Sequence, residues 1–115
     1  MNNKLFAIKD NLITINGKAI DLPYPVAEAI TIGEIVVVRL EPAVGELCNA
    51  NIYGFTVNGC FKWKVEESPH GTEPDKPFTS IYISPNGQLI AGNWNGIDYS
   101  VDVKSGAISA VAFSR

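Results

Sequence analysis

The sequence predicts an all-β domain, a single antiparallel meander of hairpins that spans residues 1–115. Turn dipeptides that contain glycine recur along the chain and separate short runs rich in Ile, Val, Phe and Tyr. Such runs, bounded by turn residues, are typical of strands. A chain of 115 residues with 46% hydrophobic and 18% charged residues fits one folded domain rather than a disordered segment.

The turn dipeptides divide the chain into candidate strands. Asn16-Gly17, Asn58-Gly59, Asn86-Gly87 and Ser105-Gly106 each lie between two apolar runs. Asn-Gly at the centre of a two-residue loop suits a type I′ turn, because both central residues take positive φ angles. Val26–Ile30 could form a helical turn, but it is too short to stand alone. The candidate strands are Lys4–Ile8, Asn11–Ile15, Lys18–Leu22, Ala27–Ile32, Glu34–Leu40, Ile52–Val57, Cys60–Glu66, Thr79–Ser84, Gln88–Gly92, Ile97–Val103 and Ala107–Phe113.

The hairpin around Asn58-Gly59 predicts a register for two strands. A two-residue loop places Trp63 opposite Gly54, which leaves room for the indole because Gly54 has no side chain. The face that carries Trp63 is therefore the better candidate for the core. The predicted partners are Val57 with Cys60, Phe55 with Lys62 and Tyr53 with Lys64, and the predicted core face carries Ile52, Phe61, Trp63 and Val65.

The hairpin around Ser105-Gly106 predicts a second register. It places Asp98, Ser100 and Asp102 together on one face of a strand, because alternate side chains share a face. The predicted partners are Val103 with Ile108, Val101 with Ala110 and Tyr99 with Ala112.

Two hairpins, residues 51–63 and 98–108, look like those of a quinoprotein-type propeller blade. A blade takes about 40–45 residues and a closed propeller roughly four blades or more, so this chain is too short to close one. An open twisted sheet, a sandwich or a small barrel remains.

The sequence predicts a soluble, cytoplasmic protein without a membrane partner. The apolar stretch Leu5–Ile8 is interrupted by charge after four residues, whereas a signal peptide needs about 7–15. The longest apolar run elsewhere, Ile35–Val38, is far shorter than the roughly 20 residues of a membrane helix. We expect Cys48 and Cys60 to be reduced, with a disulfide between them as the alternative.

The residues that could carry chemistry form no catalytic motif. His70 lies in a long loop, residues 66–77, among Glu66, Glu67, Glu73 and Asp75. It is either a general base oriented by a carboxylate or a solvent-facing loop histidine. The carboxylates lack the spacing of a calcium loop, and two cysteines with one histidine cannot close a zinc site. We therefore expect no enzyme, no catalytic residue, no metal and no cofactor.

Aromatic and basic residues alternate on the strands around Asn58-Gly59. In single-stranded nucleic acid, bases could stack on the rings of Tyr53 and Phe55, and Lys62 and Lys64 could neutralise the phosphates. The other interpretation is that lysine stems or a second sheet cover this face. The net charge of −3 and the absence of a Lys/Arg run disfavour a polyanion, so we expect no nucleic-acid partner.

The acidic residues are concentrated in one part of the chain. Residues 41–103 hold eight acidic and three basic residues, a net charge of −5. This charge either serves solubility or forms a binding surface for a basic partner. The long loop is stiffened by prolines, and a loop of this length is often functional. The candidate binding residues are Glu66, Glu67, His70, Glu73, Asp75, Asp98 and Asp102.

Four segments are similar to small bacterial β-proteins: Leu22-Pro23-Tyr24-Pro25, Val36–Pro42, Asn51–Phe55 and Ala91–Gly96. With its size and acidic charge, the chain resembles immunity proteins of contact-dependent growth inhibition and related bacterial toxin systems. Such proteins bind a toxin domain, often a basic nuclease, and block its active site. The resemblance is general in character and covers most of the chain, but it includes no diagnostic motif and so assigns no site residue. It implies a cytoplasmic inhibitor without chemistry of its own.

These features together predict a non-enzymatic inhibitor in a 1:1 heterodimer with a cognate toxin domain, a basic nuclease. Its carboxylates would occupy the nuclease's basic active site in place of phosphates. The alternative is a β-rich module that binds a small molecule or a peptide through exposed aromatic side chains, with Tyr53, Phe55 and Trp94 as candidates.

Overall fold

The computed structural model of the protein describes residues 6–70 and 74–111. These residues form eleven strands and no helix, in three antiparallel sheets of three, four and four strands. No sheet closes into a barrel, and the prediction of a single all-β meander is confirmed. Each candidate run overlaps one strand, although the first run begins and the last run ends outside the described residues. In the described ranges no helix has the length and apolar character that a membrane crossing requires.

Consecutive strands are neighbours in every sheet, as hairpins require. The first sheet contains β1 (Phe6–Lys9), β2 (Leu12–Ile15) and β3 (Lys18–Asp21). The middle sheet contains β4 (Val26–Ile32), β5 (Ile35–Leu40), β6 (Ile52–Thr56) and β7 (Phe61–Lys64). The third sheet contains β8 (Phe78–Ile83), β9 (Leu89–Asn93), β10 (Asp98–Val101) and β11 (Ile108–Ala110).

The central strands of the middle sheet, β5 and β6, are covered on both faces. Along β5, Val36, Val38 and Leu40 belong to the core shared with the first sheet. Ile35 and Val37 point the other way, into the core shared with the third sheet. A strand that is covered on both sides reads as a continuous apolar run, which is the pattern of β5. The fold is therefore a three-layer stack of sheets.

The two cores differ in size. The core between the first and middle sheets contains Ile13, Ile15, Leu22, Val36, Val38, Leu40 and Phe55. The core between the middle and third sheets contains Ile35, Val37, Ile52, Trp63, Val65, Phe78, Ile81, Leu89, Ala91, Tyr99 and Val101.

The predicted type I′ turn occurs at one of the four turn dipeptides. Asn16 and Gly17 have φ angles of 50° and 80°, as this turn requires. At the other three dipeptides the glycine alone has a positive φ: Gly59, Gly87 and Gly106. The prediction of a type I′ turn is therefore wrong at Asn58-Gly59 and Asn86-Gly87, and none was predicted at Ser105-Gly106.

A side chain at the start of each of these three loops explains the longer turn. Thr56 Oγ1 accepts hydrogen bonds from the backbone N–H groups of Asn58 and Cys60, at 3.3 and 3.2 Å. Ser84 and Asp102 accept equivalent backbone hydrogen bonds in the other two loops. Short polar side chains favour the first position of a type I turn for this reason, and the glycine then takes the left-handed conformation.

The register of β6 and β7 follows the prediction up to a β-bulge. Tyr53 lies opposite Lys64 and Gly54 opposite Trp63, as predicted. Beyond the bulge, Phe55 lies opposite Phe61 instead of Lys62. Thr56 donates its N–H to Cys60 O at 2.8 Å, which replaces the predicted pair of Val57 with Cys60. The bulge turns Phe61 outward, and Phe61 is 58% exposed instead of lying in the core.

The predicted register of β10 and β11 is wrong by two residues. Val101 lies opposite Ile108, and Tyr99 lies opposite Ala110. The predicted partner of Tyr99, Ala112, lies outside the described residues. The loop starts early because the Asp102 carbonyl accepts the N–H of Gly106 at 2.7 Å. A shift of two residues keeps each side chain on its predicted face.

Candidate functional site

Three connections meet at one end of the stack and form a cleft of about 630 Å³, which we call the acidic cleft. They are the segment between β5 and β6, the end of the long loop, and the turn between β9 and β10. The side chains that give the cleft its character are Arg39, Glu41, Val44, Glu46, Asp75 and Trp94.

The acidic cleft carries three carboxylates and one guanidinium. Arg39 Nε lies 2.6 Å from Glu28 Oε2, and Arg39 Nη1 lies 3.3 Å from Glu41 Oε1. Glu46 and Asp75 have no ion pair with a lysine or arginine in ranges 6–70 and 74–111. The cleft therefore keeps uncompensated negative charge, which attracts cations.

Apolar side chains stand exposed beside these carboxylates. Trp94 is 64% exposed, and Val44 and Leu47 in the β5–β6 segment are also exposed. Trp94 and Val44 line the cleft itself. Exposed apolar side chains with a polar rim are typical of protein-binding surfaces, and tryptophan is enriched at their energetic centres.

A buried asparagine fixes the segment between β5 and β6 to the third sheet. Asn51 is fully buried, and its Nδ2 donates to Leu40 O and Phe78 O, each at 2.9 Å. Its Oδ1 accepts the N–H of Phe78 at 2.8 Å. One side chain therefore satisfies three backbone groups where regular pairing ends.

Two more asparagines hold the part of the long loop that contains Asp75. Asn49 Nδ2 donates to Pro74 O at 2.8 Å, and Asn49 Oδ1 accepts the N–H of Lys76 at 2.9 Å. Asn93 Nδ2 donates to Lys76 O at 2.9 Å. Asp75 is thereby fixed from both neighbours. The sequence interpretation missed all three asparagines because asparagine ordinarily indicates a turn, and these bonds join distant segments.

A network around the buried Tyr99 hydroxyl anchors the start of the long loop. Ser68 Oγ lies 2.5 Å and His70 Nδ1 2.9 Å from this oxygen. Asn95 Nδ2 donates to the same hydroxyl at 3.2 Å and to Ser68 Oγ at 2.9 Å. The His70 ring also stacks on Tyr99, with centroids 5.8 Å apart. His70 thus bonds a tyrosine hydroxyl, and its contacts tie the loop to the turn that carries Trp94.

A comparison with protein families matches residues 4–113 to a family described as a domain of unknown function (DUF7957). The chain belongs to this family. The match spans nearly the whole chain, so the three-sheet stack and its cleft both lie within the DUF7957 domain. Searches of the curated proteins and of the solved structures found no match.

The structure distributes the predicted binding residues of the DUF7957 domain over several surfaces. Asp75 lines the acidic cleft, where Glu41 and Glu46 join it. Glu67 is exposed near Cys48, and His70 belongs to the Tyr99 network. Glu73 lies outside the described residues. The cleft could have been anticipated from the acidic turn Glu41–Glu46, which the candidate set did not include.

The other three predicted carboxylates contact the third sheet. Glu66 Oε1 accepts the N–H of Ile108 at 2.9 Å and so covers the edge strand β11. Asp102 Oδ1 accepts the N–H of Lys104 at 2.8 Å. Asp98 accepts a hydrogen bond from the Tyr82 hydroxyl at 3.3 Å. Each therefore has a local structural contact away from the acidic cleft.

The aromatic candidates also separate. Phe55 is 2% exposed because the first sheet covers it, so the prediction that Phe55 is an exposed binding residue is wrong. Tyr53 is half-buried, and Lys64 Nζ lies 5.4 Å from its ring centroid. Trp94 alone of the three is largely exposed. The alternative interpretation, in which a second sheet covers the aromatic face, is correct for Phe55.

Two ionisable side chains near the acidic cleft have shifted pKa values. The Tyr24 hydroxyl donates to Glu46 Oε1 at 3.0 Å, and this hydrogen bond to a carboxylate raises the pKa of Tyr24. Partial burial raises the pKa of the Cys48 thiol, with Glu67 raising it further and Lys64 opposing.

The cysteines form no disulfide with each other, since Cys48 and Cys60 are both free thiols. Within ranges 6–70 and 74–111, no three His, Cys, Asp or Glu side chains are grouped to hold a metal ion.

A second cleft, of about 710 Å³, lies at the other end of β5 between the middle and third sheets. Its charged lining is balanced, with Lys62 and Lys104 against Glu34 and Asp102. The acidic cleft differs from it in carrying three carboxylates to one guanidinium, together with an exposed tryptophan.

Proposed function

We propose that this protein is a non-enzymatic inhibitor that binds a basic protein partner through the acidic cleft, as an immunity protein binds its toxin. The observation that carries this proposal is the exposed Trp94 indole in the same cleft as Glu46 and Asp75, whose carboxylates pair with no lysine or arginine of the described residues. Tryptophan supplies apolar contact area, and the carboxylates select a partner of opposite charge.

The inhibition proposed here is occlusion. A nuclease binds phosphates in a basic active site, and carboxylates on a rigid surface can take the place of those phosphates. The Asn49 and Asn93 side chains hold the backbone around Asp75, so little order has to be gained on binding. The partner is a cognate toxin domain, a basic nuclease, bound as a 1:1 heterodimer in the cytoplasm. No chemical step is assigned to the inhibitor.

Co-expression tests the proposal directly. The partner to try is the C-terminal domain of the protein encoded immediately upstream, produced with and without this chain. We expect a 1:1 complex in size-exclusion chromatography and rescue of the cells from the toxicity of that domain. Separate elution together with persistent toxicity would contradict the inhibitor function for that pair.

A pair of charge-matched variants then tests the surface. Glu46→Lys/Asp75→Lys reverses two cleft carboxylates, and Asp21→Lys/Glu34→Lys reverses two exposed carboxylates elsewhere. The cleft variant should slow association by about tenfold or more and weaken its salt dependence, because charge complementarity steers the encounter. Equal association rates for both variants would remove the acidic cleft from the interface.

The cleft volume favours a second candidate function, a module that binds a small molecule or a peptide. Its 630 Å³ lies within the roughly 300–1,000 Å³ of ligand pockets, and Trp94 supplies an aromatic wall. In that case Trp94→Ala should abolish binding of the ligand while the free energy of unfolding stays unchanged. Binding of a small ligand without any effect on toxicity would favour this module over the inhibitor.

A further inference from the structure

We propose that the acidic cleft receives the guanidinium of an arginine side chain from the partner, between the Trp94 indole and the carboxylates of Glu46 and Asp75. This inference rests on the proposed function and names the chemical group that the site recognises. The cleft is larger than one side chain, so the arginine is the anchor of a longer segment.

Two carboxylates of the cleft are available to pair with an additional cation. Arg39 is already held by Glu28 and Glu41, at 2.6 and 3.3 Å. Glu46 and Asp75 remain without a lysine or arginine partner among the residues that the structure describes. A cation that enters the cleft therefore pairs with these two carboxylates without displacing Arg39.

The exposed indole favours a guanidinium over an ammonium. The face of a tryptophan attracts cations more strongly than other aromatic rings do. A guanidinium is flat, so it can lie on the ring while its N–H groups point sideways to carboxylates. An ammonium has no flat face and is more strongly hydrated. Trp94 and the carboxylates line one cleft and can serve both functions together.

The backbone that carries Trp94 and Asp75 is held by hydrogen bonds before any ligand binds. Trp94 donates its backbone N–H to Pro77 O at 2.9 Å, and Asn93 Nδ2 donates to Lys76 O at 2.9 Å. The tryptophan turn is thus bonded to the loop segment that follows Asp75. Preorganised contacts of this kind reduce the entropy that binding loses.

The test uses the isolated protein and a small probe, N-acetyl-arginine methylamide, with N-acetyl-citrulline methylamide as the uncharged match. NMR follows the two indole N–H signals. Trp63 is the internal reference, because it is buried and its Nε1 donates to Val103 O at 2.7 Å. We expect the arginine probe to shift the Trp94 signal saturably, with a Kd on the order of 1–10 mM, and to leave Trp63 unchanged. The citrulline probe should not shift either signal.

Variants separate the ring from the charges. Trp94→Phe keeps an aromatic face and should weaken binding of the arginine probe about twofold, whereas Trp94→Leu should weaken it about fivefold or more. Binding to these two is read from backbone amides of the cleft. Glu46→Gln/Asp75→Asn should abolish saturable binding, and the matched Asp21→Asn/Glu34→Gln should bind like the wild type.

Equal shifts from the two probes, or unchanged arginine binding in Glu46→Gln/Asp75→Asn, would overturn the guanidinium proposal. This result is distinguishable from a failure of the proposed function. The probe experiment needs no partner, whereas the inhibitor function is decided by co-elution and rescue. An inhibitor that rescues cells without binding the arginine probe would keep its function and lose this anchor.

Discussion

Gly54 lies directly under the indole of Trp63, across the β6–β7 pair. A Cβ atom built on Gly54 would lie 2.5 Å from Trp63 Cζ2 and closer still to Cε2, which no packed pair of carbons tolerates. The indole also meets Gly106, where a Cβ would lie 2.9 Å from Cε3. With its N–H on Val103 O, Trp63 joins the middle sheet to the loop between β10 and β11. Two glycines therefore make room for the side chain that links two layers.

Gly54→Ala should destabilise the protein through this contact. The methyl group forces the indole or the strand to move, and overpacking of this kind costs about 1–3 kcal/mol. Chemical denaturation measures the loss as a change in the free energy of unfolding. A double-mutant cycle with Trp63→Leu provides the control, since the shorter leucine side chain does not reach Gly54 in the same way. A cost for Gly54→Ala that is equal in both backgrounds would show that the clash is not its cause.

The pairing of Gly54 with Trp63 could be predicted because it depends on alternation alone. Side chains repeat with a period of two along a strand, and a glycine opposite a tryptophan indicates the covered face. The exposure of Phe61 could not be predicted in the same way, since one extra residue in a bulge reverses the face. The sequence shows no distinct residue pattern at that bulge. Periodicity therefore predicts faces only as far as the next irregularity.

Asn51→Leu should cost more stability than any surface change. The side chain is fully buried and bonds Leu40 O, Phe78 O and Phe78 N. A leucine leaves these three groups without partners, and each unsatisfied buried group costs about 1–3 kcal/mol. Denaturation of Asn51→Leu beside Asn58→Leu, a change in an exposed turn, measures the difference. Similar stability of the two variants would mean that water replaces the asparagine.

The acidic cleft was only partly predictable for a related reason. The excess of negative charge in residues 41–103 and the exposed position of Trp94 in a turn are local properties of the sequence. Which carboxylates meet is decided by long-range hydrogen bonds, such as those of Asn49 to Pro74 and Lys76. These bonds hold the loop so that Asp75 lines the same cleft as Glu46, while Glu66 and Asp102 accept backbone hydrogen bonds elsewhere. The composition of residues 41–103 therefore predicts an excess of negative charge, but not which carboxylates share one surface.

Tyr99→Phe should loosen the long loop while the sheets stay intact. The hydroxyl is the common partner of Ser68, His70 and Asn95. Its removal should lower the free energy of unfolding by about 1–3 kcal/mol, because the buried Ser68 hydroxyl loses this hydrogen-bond partner. Hydrogen exchange of the His70 amide, which donates to Ser68 Oγ, should accelerate. Tyr24→Phe is the control, since its hydroxyl lies at the surface and its removal should change stability by less than about 0.5 kcal/mol.

Glu46→Gln should lower the pKa of Tyr24 toward its ordinary value of about 10. The hydrogen bond from the Tyr24 hydroxyl to the Glu46 carboxylate is the main cause of the raised pKa, and the negative charge adds to it. Because the pKa of Tyr24 is raised in the folded protein, its hydrogen bond to Glu46 contributes fully to the free energy of unfolding at pH values below the pKa of Tyr24 in the unfolded chain. This contribution is lost as the pH rises through the folded pKa. Phenolate absorbance, with the Tyr24→Phe titration subtracted, isolates this group from the other tyrosines.

The same titration reports on the acidic cleft. A guanidinium bound beside Glu46 stays charged throughout the titration of a tyrosine, because its own pKa lies well above that of a phenol. Its positive charge favours the phenolate, so saturating N-acetyl-arginine methylamide should lower the pKa of Tyr24, and N-acetyl-citrulline methylamide should not.

Glu41→Gln is the control for the Glu46→Gln titration, because Glu41 pairs with Arg39 and does not contribute to the shift of Tyr24. If Glu41→Gln lowers the pKa of Tyr24 as much as Glu46→Gln, the shift reflects the general charge of the cleft rather than the hydrogen bond.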